Sequence, residues 1–323
     1  MNESIDISED VILQFGREVL SRLLKDKTTR HNIIWATNDY KELGDGFDEQ
    51  DEITLSNITG IHSKVIQPRV AKTKTSQINR TKDKAEVFTP SWICNEQNNL
   101  IDERWFGRKN VFNIETEKNW HNNVKKIVFS EKKGKTWKDY VDARRMEISC
   151  GEAPYLVSRY DVVTGKMLPV HRRIGLLDRK FRVINENTDN KDEWLKWAVR
   201  AVQSVYGYEY QGDNLLLARE NILYTFIDNM KYKFDCEPEL KQLKEVANII
   251  AWNLWQMDGL TMTIPFGAVK KQRHQMNIFD FIEVEEEYGT FEEELEIIAP
   301  YCMIKNWRAN ESLSYHSLVR GAE

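Results

Sequence analysis

An acidic residue between a short apolar run and an amphipathic helix is the arrangement in this sequence best suited to chemistry. Residues 205–209, VYGYE, read as a buried strand that ends in Glu209, and Gly212 precedes a helix whose apolar residues repeat at three-to-four spacing. A carboxylate at the carboxyl end of a parallel strand, directly before a helix, is where open α/β sheets hold a ribose hydroxyl pair. The stretch predicts a nucleotide-type pocket. The alternative is a plain βα unit whose acid is solvated or caps the helix.

A turn of small residues lies earlier in the chain. Met146 and Ile148 have strand-like spacing, and residues 150–154, CGEAP, follow as the turn. Glycine lets the backbone approach a ligand closely and adopt a positive φ, although one glycine is less than a GxGxxG fingerprint. We expect this turn and Glu209 to lie side by side at one rim of the same sheet.

The order of strand and helix patterns along the chain predicts which fold positions these residues. Strand and helix patterns alternate from residue 146 onward, which predicts an α/β fold with a mostly parallel sheet. Residues 1–84 are expected to form an N-terminal helix and a basic, partly irregular extension. Residues 85–323 are expected to form the main domain, with an inserted hairpin or loop at about 162–190.

Composition limits the classes of protein to which the chain can belong. Its 323 residues are 41% hydrophobic and 30% charged, as in a globular protein with one large domain. No apolar run approaches the roughly 20 residues that span a bilayer, and the polar N-terminus is unlike a signal peptide. We therefore expect a cytoplasmic protein without membrane association. Four separated cysteines and six scattered histidines, with no CxxC, HxH or HxxxH, argue against a metal centre or a disulfide framework.

Charge is distributed unevenly around a formal net charge of −5. Residues 64–84 carry seven basic residues against the single acid Asp83, and residues 283–296 carry eight glutamates. The basic stretch predicts either a contact along phosphates or a solvated linker. The acidic stretch predicts a solvated helix face or a contact for a basic partner.

Four short segments, in this order, resemble the adenine-specific DNA methyltransferases of restriction-modification systems. Residues 86–90, EVFTP, look like the amino-terminal motif of that family, and residues 149–153, SCGEA, stand where it has a cysteine-glycine-x-glycine loop. Residues 206–209, YGYE, look like its next strand and acid, and residues 256–260, QMDGL, are similar to the segment that carries an aspartate. The match spans about residues 85–266, with Ala153 in place of the second glycine.

The resemblance implies a Rossmann-like methyltransferase sheet with helices on both faces, and S-adenosylmethionine as the cofactor. It implies that Phe88, Thr89 and Pro90 cover the methionine end and that Glu209 binds the ribose. Asp258 would approach the adenine amine of the cofactor. The implied cofactor-binding residues are Phe88, Thr89, Pro90, Ser149, Cys150, Gly151, Glu209, Tyr210 and Asp258.

The catalytic motif of the family is an asparagine or aspartate, two prolines and an aromatic residue. Residues 263–266, TIPF, are its nearest counterpart here. The resemblance then implies that Thr263 stands at the acceptor position, that Pro265 offers a carbonyl, and that Phe266 stacks on a flipped adenine. DNA is the implied partner, together with a restriction or specificity subunit.

Three functions remain open at this point. The first is adenine methylation of DNA by a methylase subunit of a restriction or defence system. The second is a non-catalytic, methyltransferase-like DNA-binding or regulatory subunit, which the threonine at position 263 favours. The third is a metal-dependent nuclease that uses Asp161, Asp178 and Lys180 as an acid-x-lysine site.

Overall fold

Three short parallel strands lie at the centre of the fold. The computed structural model describes residues 7–84, 86, 89–267, 269–271, 295–297 and 299–319. The strands are β1 Asn113–Thr116, β2 Asn119–Asn122, β3 Arg145–Glu147, β4 Val205–Glu209, β5 Leu254–Gln256, β6 Val269–Lys271, β7 Leu295–Ile297, β8 Met303–Asn306 and β9 Glu311–Ser314. The helices are α1 Glu9–Phe15, α2 Arg17–Leu24, α3 Leu55–Ile58, α4 Lys74–Lys84, α5 Ser91–Phe106, α6 Trp137–Asp142, α7 Leu176–Asn187, α8 Lys191–Gln203, α9 Gly212–Phe234, α10 Leu240–Asn253 and α11 Tyr315–Val319.

The central sheet has the spatial order β3-β4-β5, and both of its pairings are parallel. Helices α7 and α8 lie between β3 and β4 in the chain, and α9 and α10 lie between β4 and β5. Parallel strands need such crossovers, so all three carboxyl ends meet at one rim. The residues at that rim are Glu147, Glu209 and Gln256. The hairpins β1-β2, β6-β7 and β8-β9 are antiparallel two-stranded sheets.

Side chains alternate between the two faces of this sheet, as they must in extended strands. Val205 and Leu254 join the large buried core that the helices share. Tyr206 and Trp255 pack instead with Cys302 and Ile304 on the opposite face, together with Tyr315, the first residue of α11. The fold is thus mixed α/β, with a small three-stranded parallel sheet flanked by helices. The hairpin β8-β9, rather than a full helical layer, covers much of the second face in the described part of the chain.

The N-terminal residues belong to the same core as the remainder of the chain. Ile12, Leu20 and Trp35 are fully buried and lie in the cluster that also contains residues of α9 and α10. The fully buried Arg219 of α9 ties these parts together, because its Nε donates to the carbonyl of Leu254 at 3.0 Å and its Nη1 bonds the carbonyl of Leu23. A boundary at residue 84 therefore does not separate two cores.

Helix α9 follows β4 as the sequence predicts, and most of its 23 residues are buried. It begins at a glycine because no larger residue fits there. The Gly212 N–H donates to the Trp35 carbonyl at 3.0 Å, and a Cβ on Gly212 would lie 2.0 Å from the carbonyl oxygen of Ile34. The predicted insertion at 162–190 contains helix α7, in which Phe181 is fully buried, so its second half is part of the core.

Candidate functional site

A cavity of about 890 Å³ lies at the carboxyl rim of the parallel sheet. The ends of β3 and β4, the start of α9 and one side of α5 form its walls. Many of the residues that the sequence singles out line it, namely Thr89, Ser149, Cys150, Gly151, Glu209, Tyr210 and Phe266. The volume is within the range of about 300–1,000 Å³ that is usual for small-molecule sites.

Glu209 is the last residue of β4, and its carboxylate faces the turn that follows β3. Its Oε2 accepts the N–H of Gly151 at 2.8 Å, and its Oε1 accepts the N–H groups of Tyr210 at 2.9 Å and Gln211 at 3.2 Å. Burial raises the pKa of Glu209, while these N–H groups oppose the rise. The two predicted turns thus meet at one rim, with a direct hydrogen bond between them.

The turn after β3 is held close to the end of β4. Cys150 donates its N–H to the Tyr208 carbonyl at 2.8 Å, and its Sγ would lie 3.3 Å from a Cβ built on Gly207. Gly151 and Ala153 have φ values of 52° and 62°, in the left-handed region that favours glycine. Ala153 stands where the resembling family has its second glycine, and its backbone has the conformation that glycine adopts most readily.

Glu147, at the end of β3, is a site residue that the sequence reasoning missed. It lines the cavity, is buried, and accepts the N–H of Tyr155 at 3.3 Å and of Leu156 at 3.1 Å. Burial raises the pKa of Glu147 to about 8. The sequence did contain a signal for this residue, because Glu147, like Glu209, is an acid at the end of a strand pattern and directly before a turn.

The cavity wall is acidic. Glu49, Glu86, Glu147 and Glu209 line it, and no lysine, arginine or histidine is among the described residues that do so. With a pKa of about 8, Glu147 is largely protonated at neutral pH, and Glu86 is paired with Arg80, which leaves Glu49 and Glu209. These two carboxylates favour cationic groups over phosphates.

Two asparagines beside this wall have an unsatisfied amide oxygen. The Nδ2 of Asn98 donates to the carbonyls of Tyr155 at 3.0 Å and Ile174 at 3.1 Å, and its buried Oδ1 has no partner among the described residues. The Nδ2 of Asn214 donates to Glu86 Oε2 at 3.0 Å, and its buried Oδ1 lacks a partner there too. Both oxygens are shielded from solvent, so they do not face the open part of the cavity.

The basic stretch of residues 64–84 is partly internal. Arg80 is 2% exposed and pairs through Nε with Glu86 at 2.6 Å and through Nη1 with Asp213 at 3.0 Å. Lys72 pairs with Asp213 at 3.1 Å, and Lys72 and Arg80 hold the pKa of Asp213 below its ordinary value against the effect of burial. These ion pairs fasten α4 and the preceding turn to the start of α9. Lys64, Lys74 and Lys82 of the stretch remain exposed.

Of the candidate site residues that follow β5, one lines the cavity and the others lie in the turn after the strand. Asp258 uses Oδ1 to accept the N–H of Leu260 at 2.8 Å, and it is not among the residues that line the cavity. Thr263 is buried, and its Oγ1 donates to the carbonyl of Ile264 at 3.1 Å. Pro265 is also buried. Phe266 lines the cavity and is 41% exposed.

Of the three residues expected to cover the methionine end of the cofactor, Thr89 and Pro90 are described. Thr89 lines the cavity, and Pro90 directly precedes α5, where its carbonyl accepts the N–H groups of Ile93 and Cys94. Phe88 lies outside the described residues, as does most of the acidic stretch 283–296.

The three residues of the nuclease alternative have separate surroundings. Asp178 is the third residue of α7 and accepts the N–H groups of Gly175 at 3.0 Å and Ser158 at 2.8 Å. Asp161 accepts the N–H of Ser91 at 2.8 Å. Lys180 is buried, donates to the carbonyls of Val141 and Ala143 and to Ser204, and burial lowers its pKa. No group of three or more His, Cys, Asp or Glu side chains is placed to hold a metal ion in the part of the chain that is described.

The chain matches no family model, no curated protein and no solved structure. Among the described helices, none combines the length and the apolar composition needed to cross a membrane. Any assignment of function to this chain therefore depends on the cavity itself, and chiefly on the contact between the two turns at its rim.

Proposed function

We propose that this chain is a methyltransferase-like subunit of a cytoplasmic DNA restriction or defence system, which binds S-adenosylmethionine in the cavity and methylates adenine in DNA. The observation that carries the proposal is the hydrogen bond from Gly151 N–H to Glu209 at 2.8 Å. It joins a carboxylate and a close-approach turn at the carboxyl rim of parallel strands, where such sheets bind nucleosides. Under this proposal, β3, β4 and β5 are part of a Rossmann-like sheet.

The Glu209 carboxylate suits a ribose hydroxyl. Three backbone N–H groups fix its orientation: Oε1 accepts two of them and Oε2 accepts one, so the open acceptor position is on Oε2. A ribose hydroxyl would donate to Oε2, while Cys150 and Gly151 support the cofactor with backbone. S-adenosylmethionine supplies an electrophilic methyl group on a sulfonium, and the residues of the chain bind and orient it.

The charge of the cavity supports the same cofactor over phosphate-bearing nucleotides. S-adenosylmethionine carries a sulfonium, an ammonium and a carboxylate group and is cationic overall, and the wall has glutamates but no basic residue among its described members. ATP or a dinucleotide would bring phosphates next to carboxylates, which is unfavourable in a partly buried site.

Two aromatic rings suit the position of a target base. Phe266 and Tyr210 both line the cavity, with ring centroids 6.0 Å apart in an edge-to-face arrangement. An adenine extruded from a duplex needs an aromatic face on which to stack. Phe266 offers such a face because it is partly exposed.

Isothermal titration calorimetry tests the cofactor assignment without knowledge of the DNA sequence. S-adenosylmethionine should bind the wild-type chain, and ATP should not. Glu209→Gln should weaken cofactor binding by roughly 1–3 kcal/mol because it removes a charged acceptor. Glu237→Gln is the matched control, since Glu237 is exposed after α9. Unchanged affinity in Glu209→Gln, or equal binding of ATP, would contradict the assignment.

A second function, that of a non-catalytic DNA-binding or regulatory subunit, is favoured by the position of Thr263. Its hydroxyl is buried within the turn after β5 and bonded to the Ile264 carbonyl. An acceptor for the adenine amine would then have to come from a partner. Radiolabelled S-adenosylmethionine and mixed-sequence DNA separate the two functions, because methyl incorporation supports the enzyme. Cofactor binding without incorporation into any DNA supports the second function.

A further inference from the structure

A strongly basic surface lies at the end of α5, away from the basic stretch that the sequence emphasises. Residues 104–138 contain ten lysines and arginines but three glutamates, in a chain whose formal net charge is −5. All ten basic residues are exposed: Arg104, Arg108, Lys109, Lys118, Lys125, Lys126, Lys132, Lys133, Lys135 and Lys138.

An aromatic cluster holds the segment after β2 against the end of α5. Trp105 of α5 packs against Phe129, with centroids 5.9 Å apart. The Lys135 Nζ lies 4.7 Å from the centroid of the Trp105 ring, and Arg108 donates to the Val128 carbonyl at 3.0 Å. The segment after β2 therefore folds back over the end of α5, and Lys135 lies at that end together with Arg108.

The same segment borders an open groove of about 570 Å³. Lys126 and Lys138 line it together with Phe129 and Trp137, and Glu131 also lines it. The lining of the groove thus combines cationic and aromatic side chains. This arrangement suits a polyanionic strand that lies along the surface.

Helix α5 connects this surface to the cavity. Gln97 and Ile101 line the cavity, and Arg104 follows Ile101 by three residues on the same side of the helix. With a rise of about 1.5 Å per residue, the distance along the helix axis from Ile101 to Arg104 is roughly 5 Å. The helix ends at Phe106, so Arg108 follows its end. A duplex seated on the basic surface would therefore lie beside the mouth of the cavity.

We propose that residues 104–138 form the surface that contacts the phosphate backbone of duplex DNA. The proposal deepens the proposed function, from which it takes DNA as the partner. It moves the DNA contact away from residues 64–84, because Lys72 and Arg80 of that stretch are already paired with carboxylates inside the fold.

Fluorescence anisotropy with a short labelled duplex of mixed sequence tests this surface against the alternative stretch. The test variant is the triple change Lys125→Gln, Lys126→Gln and Lys132→Gln. The control removes the same number of exposed charges from the other stretch, through Lys64→Gln, Lys74→Gln and Lys82→Gln.

The test variant should bind the duplex about tenfold or more weakly at low salt, whereas the control should bind like the wild type. The slope of log K against log salt should fall by about 0.9 for each phosphate that the variant no longer neutralises. Unaltered circular dichroism and melting temperature would show that both variants fold.

Three results would overturn the proposal. They are equal loss of affinity in the two triple variants, loss in the control alone, and no duplex binding by the wild type. Calorimetry with S-adenosylmethionine separates this failure from failure of the proposed function. Cofactor binding without DNA binding rejects the surface alone. DNA binding that depends on Lys125, Lys126 and Lys132, without cofactor binding, rejects the cofactor site and retains the surface.

Discussion

Helices α1 and α9 each bury a carboxyl group, Glu9 and Glu220. Because of these two groups, we expect the free energy of unfolding to decrease as the pH rises toward neutral. Glu9 is 1% exposed and Glu220 is fully buried. Within the described part of the chain, neither oxygen of Glu220 has a hydrogen-bond partner, and Oε1 of Glu9 has none either. Burial raises the pKa of Glu9 to about 7, and burial with the nearby Glu9 raises that of Glu220, although Arg159 opposes this.

The size of the effect follows from the Glu9 pKa. A rise from its ordinary value of 4.5 to about 7 in the folded chain corresponds to about 3 kcal/mol. Because the folded-state pKa is the higher one, the full stability is present below pH 4.5. It is lost progressively as the pH increases from 4.5 through about 7. Glu9→Gln removes the titration, so the variant should gain stability over the wild type across this window.

Urea denaturation followed by tryptophan fluorescence, at pH 4.5 and at a pH above 7, measures the effect. The difference in unfolding free energy between Glu9→Gln and the wild type should change in favour of the variant by up to about 3 kcal/mol between the two conditions. Glu220→Gln should act in the same direction, and Glu245→Gln, on the exposed side of α10, is the control. A difference that is independent of pH would refute the assignment of a buried, titrating pair.

Further changes test the helix ends and the cavity. Gly212→Ala should destabilise the chain by roughly 3 kcal/mol in urea denaturation, because the new Cβ would lie 2.0 Å from the Ile34 carbonyl oxygen. Asp178→Ala should cost about 1–2 kcal/mol through loss of the α7 cap, and a magnesium-dependent nuclease activity that disappears with it would contradict the structural role. Phe266→Ala should abolish methylation and leave the affinity for S-adenosylmethionine unchanged in calorimetry. Equal loss of both would mean that the ring supports the cavity rather than the base.

The contact between Gly151 and Glu209 could be anticipated because both residues follow strand patterns in a chain that alternates strands and helices. Parallel strands carry their carboxyl ends to one rim, so two turns 58 residues apart in sequence were expected to meet. The start of α9 could also be predicted, since a glycine there precedes a regular apolar repeat. These features depend on local pattern and on a general rule of sheet topology.

The roles of charged residues could not be read in the same way. Residues 64–84 have a basic composition, but composition does not reveal that Asp213 lies next to Lys72 and Arg80 after folding. Thr263 likewise has the position of a catalytic acceptor in the sequence, whereas the turn after β5 buries its hydroxyl. Whether a charged side chain is paired inside the fold or available to a ligand depends on residues that are distant in sequence. The pattern of a single sequence does not show which distant residues come into contact.

The separation of charge along α5 gives the two proposals a common physical consequence. The cavity beside the middle of the helix has glutamates and no described basic residue, which disfavours phosphates, and the basic surface at the carboxyl end of the helix attracts them. Under both proposals the DNA backbone would stay on the outer surface, and a neutral base could enter the acidic cavity, where the cofactor carries the positive charge. High salt should then weaken DNA binding strongly and cofactor binding less, because partly buried charges are screened less than exposed ones. Parallel salt titrations of the two ligands measure this difference, and equal salt sensitivity would argue against a separate site for each.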